Sequence, residues 1–233
     1  MRILIYGINY APELTGVGKY TAEMAEWLAG QHCEVRVLTA PPYYPAWHVE
    51  KGYRWWTYTR EWLRGVEVFR CPLWVTEKPN GLQRLLHLAS FAVSSLAVLV
   101  QQMFWRPDVV LVVEPALFCA PAALMAARLC GAHAWLHVQD FEVDAAFALK
   151  ALPRMVWLQR LAAGLERWLM HRFDRVSSIS ARMVSRCQDK GVRPERTVLL
   201  PNWVDCNHVY PLMQPSRLRS QLGFRDSDTV VLY

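Results

Sequence analysis

Two groups of residues have the types and spacing to do chemistry. The first is His137 and Asp140, with Glu142 and Asp144 just beyond, where the apolar run Ala134 to Val138 ends. An imidazole and a carboxylate at a strand end can take a proton from an attacking hydroxyl or hold that hydroxyl in place. The same pair also reads as a satisfied strand-end histidine and a loop-capping aspartate. A metal would need more ligands than this neighbourhood guarantees, so no metal is expected. The second group is Gly16-Val17-Gly18-Lys19, between a strand and a helix. Backbone N–H groups at such a helix start stabilise anions, and Lys19 adds a charge. The alternative is a tight turn that uses glycine for positive φ. The spacing is not G-x-G-x-x-G and no acidic residue follows the second strand at Thr39, which argues against a dinucleotide fingerprint. Glu114, before Pro115, ends a further strand at the same edge, as a cleft carboxylate or a plain loop carboxylate. Ser180 is most simply a helix N-cap.

These residues need elements to position them. Arg2 to Ile8, Glu34 to Thr39, Val66 to Cys71, Val109 to Val113, Ala134 to Val138, Arg175 to Ile179 and Thr197 to Leu200 read as strands. Arg2 to Ile8 is a continuous β-rich apolar run, like a strand buried on both faces, and Val109 to Val113 is five apolar residues. Helical periodicity marks Lys19 to Leu28, Gly81 to Phe104, Pro121 to Leu129, Pro153 to His171 and Ala181 to Lys190, with Asn9 to Gly18 left as a loop. Strands alternating with helices predict an α/β fold, a Rossmann-like parallel sheet with helices on both faces. Ligands of such sheets bind at the carboxyl ends of the strands, where both groups fall.

The chain has 233 residues and a formal net charge of +6, which suits anionic partners such as phosphates or an acidic membrane face and is also common background. Six cysteines without a C-x-x-C pair read as buried thiols of a cytosolic protein. Leu85 to Phe104 carries no charge and has the length of a membrane span. It reads as a span, as a buried crossover helix, or as a helix with one face on the sheet and one on lipid. Val156 to Arg172 is basic and amphipathic, with Trp157, Trp168, Arg160 and Arg167, and the loop Tyr43 to Trp62 is rich in tryptophan.

The stretches RILIYGINYAPELTGVGKYTAEMAEWLA, RPDVVLVVEPALF, HVQDFEVDAA, SSISARMVSRCQDKGV and LLPNWVDCNHVYP together resemble the N-terminal domain of family 4 glycosyltransferases. Among these, exopolysaccharide glycosyltransferases of the colanic-acid type are most similar. The resemblance implies a GT-B fold, transfer with retention of configuration and no metal or other cofactor. It implies Asp140 and His137 as catalytic-site residues and Gly16, Gly18, Lys19, Glu114 and Glu142 as substrate contacts. It further implies a nucleotide-sugar donor, GDP-fucose for a fucosyltransferase, bound by a C-terminal domain. The implied acceptor is polyprenyl-diphosphate-linked, at the cytoplasmic membrane face. No nucleic-acid partner is expected.

Residues 1–200 are expected to form the acceptor-side domain, 201–215 a linker, and 216–233 the start of a nucleotide-sugar domain. In that last stretch Ser216 to Leu222 reads as a helix, Gly223 as its stop and Thr229 to Tyr233 as a strand. Two other functions stay open: a catalytically inactive fragment, and a standalone nucleotide- or phosphate-binding module.

Overall fold

The computed structural model describes residues 1–14, 16–113, 117–141, 156–214, 216–225 and 227–231. The chain divides into two compact units, Met1–Pro201 and Asn202–Tyr233.

The first unit is built from β1 (Arg2–Tyr6), α1 (Gly16–Gly30), β2 (Glu34–Thr39), β3 (Thr59–Leu63), β4 (Val66–Arg70), α2 (Gly81–Trp105) and β5 (Val109–Val113). Then come α3 (Ala120–Cys130), β6 (His133–Val138), α4 (Val156–Met170), β7 (Arg175–Ser178), α5 (Ala181–Asp189) and β8 (Thr197–Leu199). One sheet runs β3-β4-β2-β1-β5-β6-β7-β8. Only the β3–β4 pair is antiparallel. The chain starts at the centre, works outward to β4, then crosses back to β5 and works outward to β8. The direction of winding therefore reverses between β1 and β5, and that reversal opens a crevice at their carboxyl ends.

Alternation along the strands divides the core in two. Leu4, Tyr6, Val110, Val112, Leu136 and Val138 pack with Phe91 and Leu99 of α2, Ala123 of α3, Leu169 of α4 and Cys187 of α5. Ile3, Ile5, Val35, Val37, Leu111 and Val113 pack with Ala22 and Ala25 of α1. Among the described residues four helices thus cover one face, and α1 lies on the other.

Helix α2 starts with a capping box. The Asn80 side chain accepts from the Gln83 backbone at 2.9 Å, and the Gln83 side chain accepts from the Asn80 backbone at 2.8 Å. His87, Phe91, Ser95 and Leu99 recur every fourth residue and are buried. Tyr6 Oη meets Ser95 Oγ at 2.5 Å, tying the helix to the central strand. Leu82, Leu86, Val93, Leu96, Val100 and Phe104 lie exposed. The helix has the length and hydropathy to cross a membrane. In this fold it is the β4-to-β5 crossover, with one apolar face on the sheet and another turned outward.

Three expectations need correction. The loop after β1 ends early, because Gly16 and Gly18 already belong to the first turn of α1. The insertion after β2 contains an unforeseen edge strand, β3. Arg64 and Gly65 turn its hairpin with φ of 46° and 83°, the double positive φ of a tight two-residue turn. Its TREWL sequence alternates too weakly to announce a strand. In the second unit, Thr229 to Val231 form no strand. A strand exists through a partner's backbone, and among the described residues none pairs with this stretch. The helix expected there does form, at Arg217–Gln221, and Gly223 follows it with φ of 77°.

Candidate functional site

The crevice is built from the strand ends. Tyr6 pairs with Leu38 and Val112, and Val113 with His137, which pairs in turn with Ser177. The next row at the carboxyl edge is therefore Thr39, Gly7, Val113, His137 and Ser177. Gly7 sits where β1 and β5 diverge. A Cβ there would lie 3.2 Å from Val113 Cβ and 3.3 Å from Val113 O, so any side chain would crowd the two strands apart. His137 is two strands from Gly7, roughly 10 Å at ordinary strand spacing.

His137 is 3% exposed, on the α1 face of the sheet, since its strand neighbours Leu136 and Val138 fill the opposite core. Its Nδ1 lies 2.8 Å from Ser177 Oγ, and the Trp135 indole donates to the same oxygen at 2.8 Å. The indole occupies one lone pair of Ser177. Donating the serine hydrogen to Nδ1 satisfies both groups and leaves the imidazole proton on Nε2. Burial pushes the His137 pKa from 6.5 down to about 4. The ring is therefore neutral at physiological pH: a feeble base, but a hydrogen-bond donor suited to a hydroxyl or phosphate oxygen.

That shift makes a prediction. A histidine with a lowered pKa stabilises the fold fully above its unfolded value and loses that contribution as pH falls. Between pH 7 and 5, His137 should account for about 2 kcal/mol of lost stability. Urea unfolding of His137→Gln at both pH values should show a correspondingly smaller loss. An identical loss would remove His137 as a source of acid sensitivity.

The glycine loop is held from below by a residue that the sequence reading passed over. Glu13 is 3% exposed, and its carboxylate accepts from Asn9 Nδ2, Tyr43 N and Tyr44 N, each at 3.0 Å. Burial raises its pKa against the pull of those three bonds. Gly18 packs on it so closely that a Cβ would fall 2.6 Å from Glu13 Oε2 and 3.0 Å from Glu13 Cβ. Gly16 needs its own glycine character for a different reason, a φ of +61°. Glu13 thereby joins the loop after β1 to the loop after β2. Arg70, at the end of β4, makes a second clamp. Its buried guanidinium donates to Ala40 O at 2.9 Å, Ala11 O at 2.6 Å and Glu61 Oε1 at 2.5 Å, and stacks 4.7 Å from the Tyr53 ring. No local pattern marks either residue, because the backbone groups that they hold, at Tyr43, Tyr44, Ala40 and Ala11, lie thirty or more positions away.

The structure therefore brings together Gly16, Gly18 and His137, all on the α1 side of the carboxyl edge. Lys19 lies one turn into α1, 3.9 Å from Glu23. Asp140 is exposed in the loop that leaves β6. Glu114, Glu142 and Asp144 lie outside the described residues. Ser180 caps α5 as expected, accepting from Met183 N at 3.2 Å. Among the described residues no three His, Cys, Asp or Glu side chains gather to hold a metal ion.

A doubly wound sheet with its crevice at the β1/β5 switch point, a glycine-started helix on one side and a strand-end histidine two strands away defines a Rossmann-like domain with a ligand crevice at the carboxyl edge. Residues 15–203 match the glycosyl transferase 4-like domain, and the chain belongs to that family. It is 47% identical over 237 residues to WcaI of Escherichia coli (strain K12), whose name assigns it to colanic acid biosynthesis as a glycosyl transferase. The match takes in all of this chain and 58% of that protein's length. Among solved structures, the catalytic domain of Arabidopsis thaliana starch synthase IV, bound to ADP and acarbose, superposes with a TM-score of 0.60 at 14% identity. That alignment covers 98% of this chain and 60% of the synthase. Anabaena HepE, in complex with UDP and glucose, gives 0.54 at 16% identity, over 96% of this chain and 50% of its own. At such identities the likeness is one of fold: this chain has the architecture of the N-terminal half of a GT-B glycosyltransferase.

Proposed function

We propose that the chain is the acceptor-side part of a retaining glycosyltransferase of exopolysaccharide assembly. It moves a sugar from a nucleotide-sugar donor to a polyprenyl-diphosphate-linked acceptor at the cytoplasmic face of the inner membrane. The sugar proposed is fucose, delivered from GDP-fucose, with the donor held by a second domain. The carrying observation is the convergence of the glycine-started helix and neutral His137 on one sheet edge, in a chain of this family.

In this reading His137 offers Nε2–H to an acceptor or phosphate oxygen and orients it. Asp140, exposed just beyond, supplies the negative charge that opposes positive charge on the sugar ring in the transition state. The departing diphosphate takes the hydroxyl proton, which suits a histidine too weakly basic to take it. Gly16, Gly18 and Lys19 present the start of α1 to a phosphate or the acceptor.

The test joins this chain to the remaining C-terminal length of its WcaI relative, with radiolabelled GDP-fucose and UDP-sugars offered to a polyprenyl-diphosphate-linked sugar. Label should move to the lipid, and Asp140→Ala should slow it at least tenfold. Wild-type rates in that variant would remove Asp140 from the site. Residues 1–233 alone should show no calorimetric binding of either nucleotide sugar. Micromolar binding would favour a standalone nucleotide-binding module.

A further inference from the structure

Helices α2, α3 and α4 lie side by side on the face of the sheet opposite α1. The Cys130 thiol reaches Met103 O at 3.5 Å, joining the ends of α2 and α3. Residues of α3 and α4 line one groove between them. The buried sides of these helices were described above. Their outward sides are apolar. On α4, Trp157, Leu161, Leu165 and Trp168 recur at helical spacing and are all exposed. That stripe runs roughly 16 Å along the helix. Met125 and Leu129 extend it onto α3, and the exposed row of α2 lies beyond.

Cations outnumber carboxylates on this surface among the described residues. Helices α2 and α3 contain no Asp or Glu at all. Helix α4 contains one, Glu166, which is buried and bonded to Lys190. Arg128 of α3, Arg160 of α4 and Arg172 just past α4 are exposed. The groove between the C-terminal ends of α3 and α4 has a volume of about 530 Å³ and is lined by Arg128, His171, Arg172 and Arg196, with Trp168 beside them. Arg172 lies 4.1 Å from the Trp168 ring, which holds the guanidinium at the groove mouth. Asp174, the one carboxylate among the described residues of the lining, accepts from Ala134 N at 2.8 Å.

We propose that this three-helix face docks on an anionic lipid bilayer, with the phosphate of a lipid headgroup in the arginine groove. An apolar and tryptophan-bearing helix face edged mainly by arginines is complementary to a negatively charged interface. The orientation also serves the reaction proposed above, on which this part of the inference rests. Helix α4 runs back from the carboxyl edge of the sheet, so Trp157 lies toward the edge that carries His137 and Trp168 toward the opposite one. A layer lying flat on the bilayer would hold that edge beside the lipid surface.

Co-sedimentation of the purified protein with phosphatidylcholine vesicles, with and without 30% phosphatidylglycerol, tests the proposal. Binding should be at least tenfold stronger to the anionic vesicles. Leu161→Glu with Leu165→Glu, both on exposed positions, should weaken it at least tenfold without changing the melting temperature. Arg128→Glu with Arg172→Glu should abolish the preference for anionic lipid. Equal binding to both vesicles, or unaltered binding by both variants, would overturn it. So would phosphorus NMR showing inorganic phosphate bound in the groove while vesicles are ignored. So would sedimentation showing that the face joins two copies instead. A transfer assay with a water-soluble acceptor separates the two proposals: the Glu variants should keep that activity, and its absence in the unaltered protein would count against the reaction, not the surface.

Discussion

Gly18→Ala should destabilise the protein by about 2–4 kcal/mol, although alanine ordinarily favours a helix over glycine. The added Cβ would enter the space of the Glu13 carboxylate, at 2.6 Å from Oε2, with Tyr10 N a further 3.3 Å away. Glu13 cannot retreat without giving up its bonds to Asn9, Tyr43 and Tyr44, and a buried carboxylate stripped of donors is costly. A double-mutant cycle makes the mechanism explicit. Once Glu13→Ala has cleared the space, adding Gly18→Ala should cost almost nothing, so the two changes should couple by at least about 1 kcal/mol in urea unfolding. Additive effects would mean that Gly18 is needed for some other reason. Glu13→Gln adds a pH signature. Because the folded-state pKa of Glu13 is raised, its contribution is full in acid and declines as pH rises from the ordinary carboxylate range through the raised value. The glutamine variant should therefore compare better with the unaltered protein at pH 7 than at pH 4.

The second large effect is expected at Arg70. Arg70→Met keeps the aliphatic bulk and removes the guanidinium, leaving Ala11 O and Ala40 O without that donor and Glu61 without its cation. Removing one member of a buried charged network costs about 3–5 kcal/mol, and the same is expected here. Arg70→Lys should recover less than half of it, because an ammonium cannot reach three acceptors in three directions from one planar fork. Hydrogen exchange should quicken at residues 9–13 and 40–44 before it changes in β5 or β6, since Arg70 fastens the two loops and not the central strands. Uniform acceleration across the sheet would show that Arg70 supports the fold as a whole and is no specific clamp on the crevice.

Both effects fall on residues that the sequence left unmarked, whereas most of the fold was legible in it. Runs such as VVLVV at 109–113 have one stable environment, a strand covered on both faces, and seven of the eight strands among the described residues were expected from β-rich runs or from their place between helices. The exception, β3, is an edge strand with a mostly exposed side, so no burial constraint shaped its residues into a pattern. The apolar helix α2 was ambiguous for the opposite reason. A crossover helix with a second apolar face and a membrane span have the same composition, and only its packing against Tyr6 and the sheet distinguishes them.

The sequence by itself determined the alternation of strands and helices, and with it the doubly wound class and the edge where Gly16, Gly18, His137 and Asp140 fall. Periodicity and local turn chemistry act over a few residues, so they can be read along the chain. Only the tertiary structure decided what those residues are able to do. It buried His137 against Ser177 and Trp135, 40 and more positions from its serine partner, and so made it a neutral donor. It set Glu13 beneath Gly18 and stretched Arg70 across two loops to the edge strand. Protonation and close packing depend on which distant groups share a small, dry volume, and that is fixed by the order of strands in the sheet.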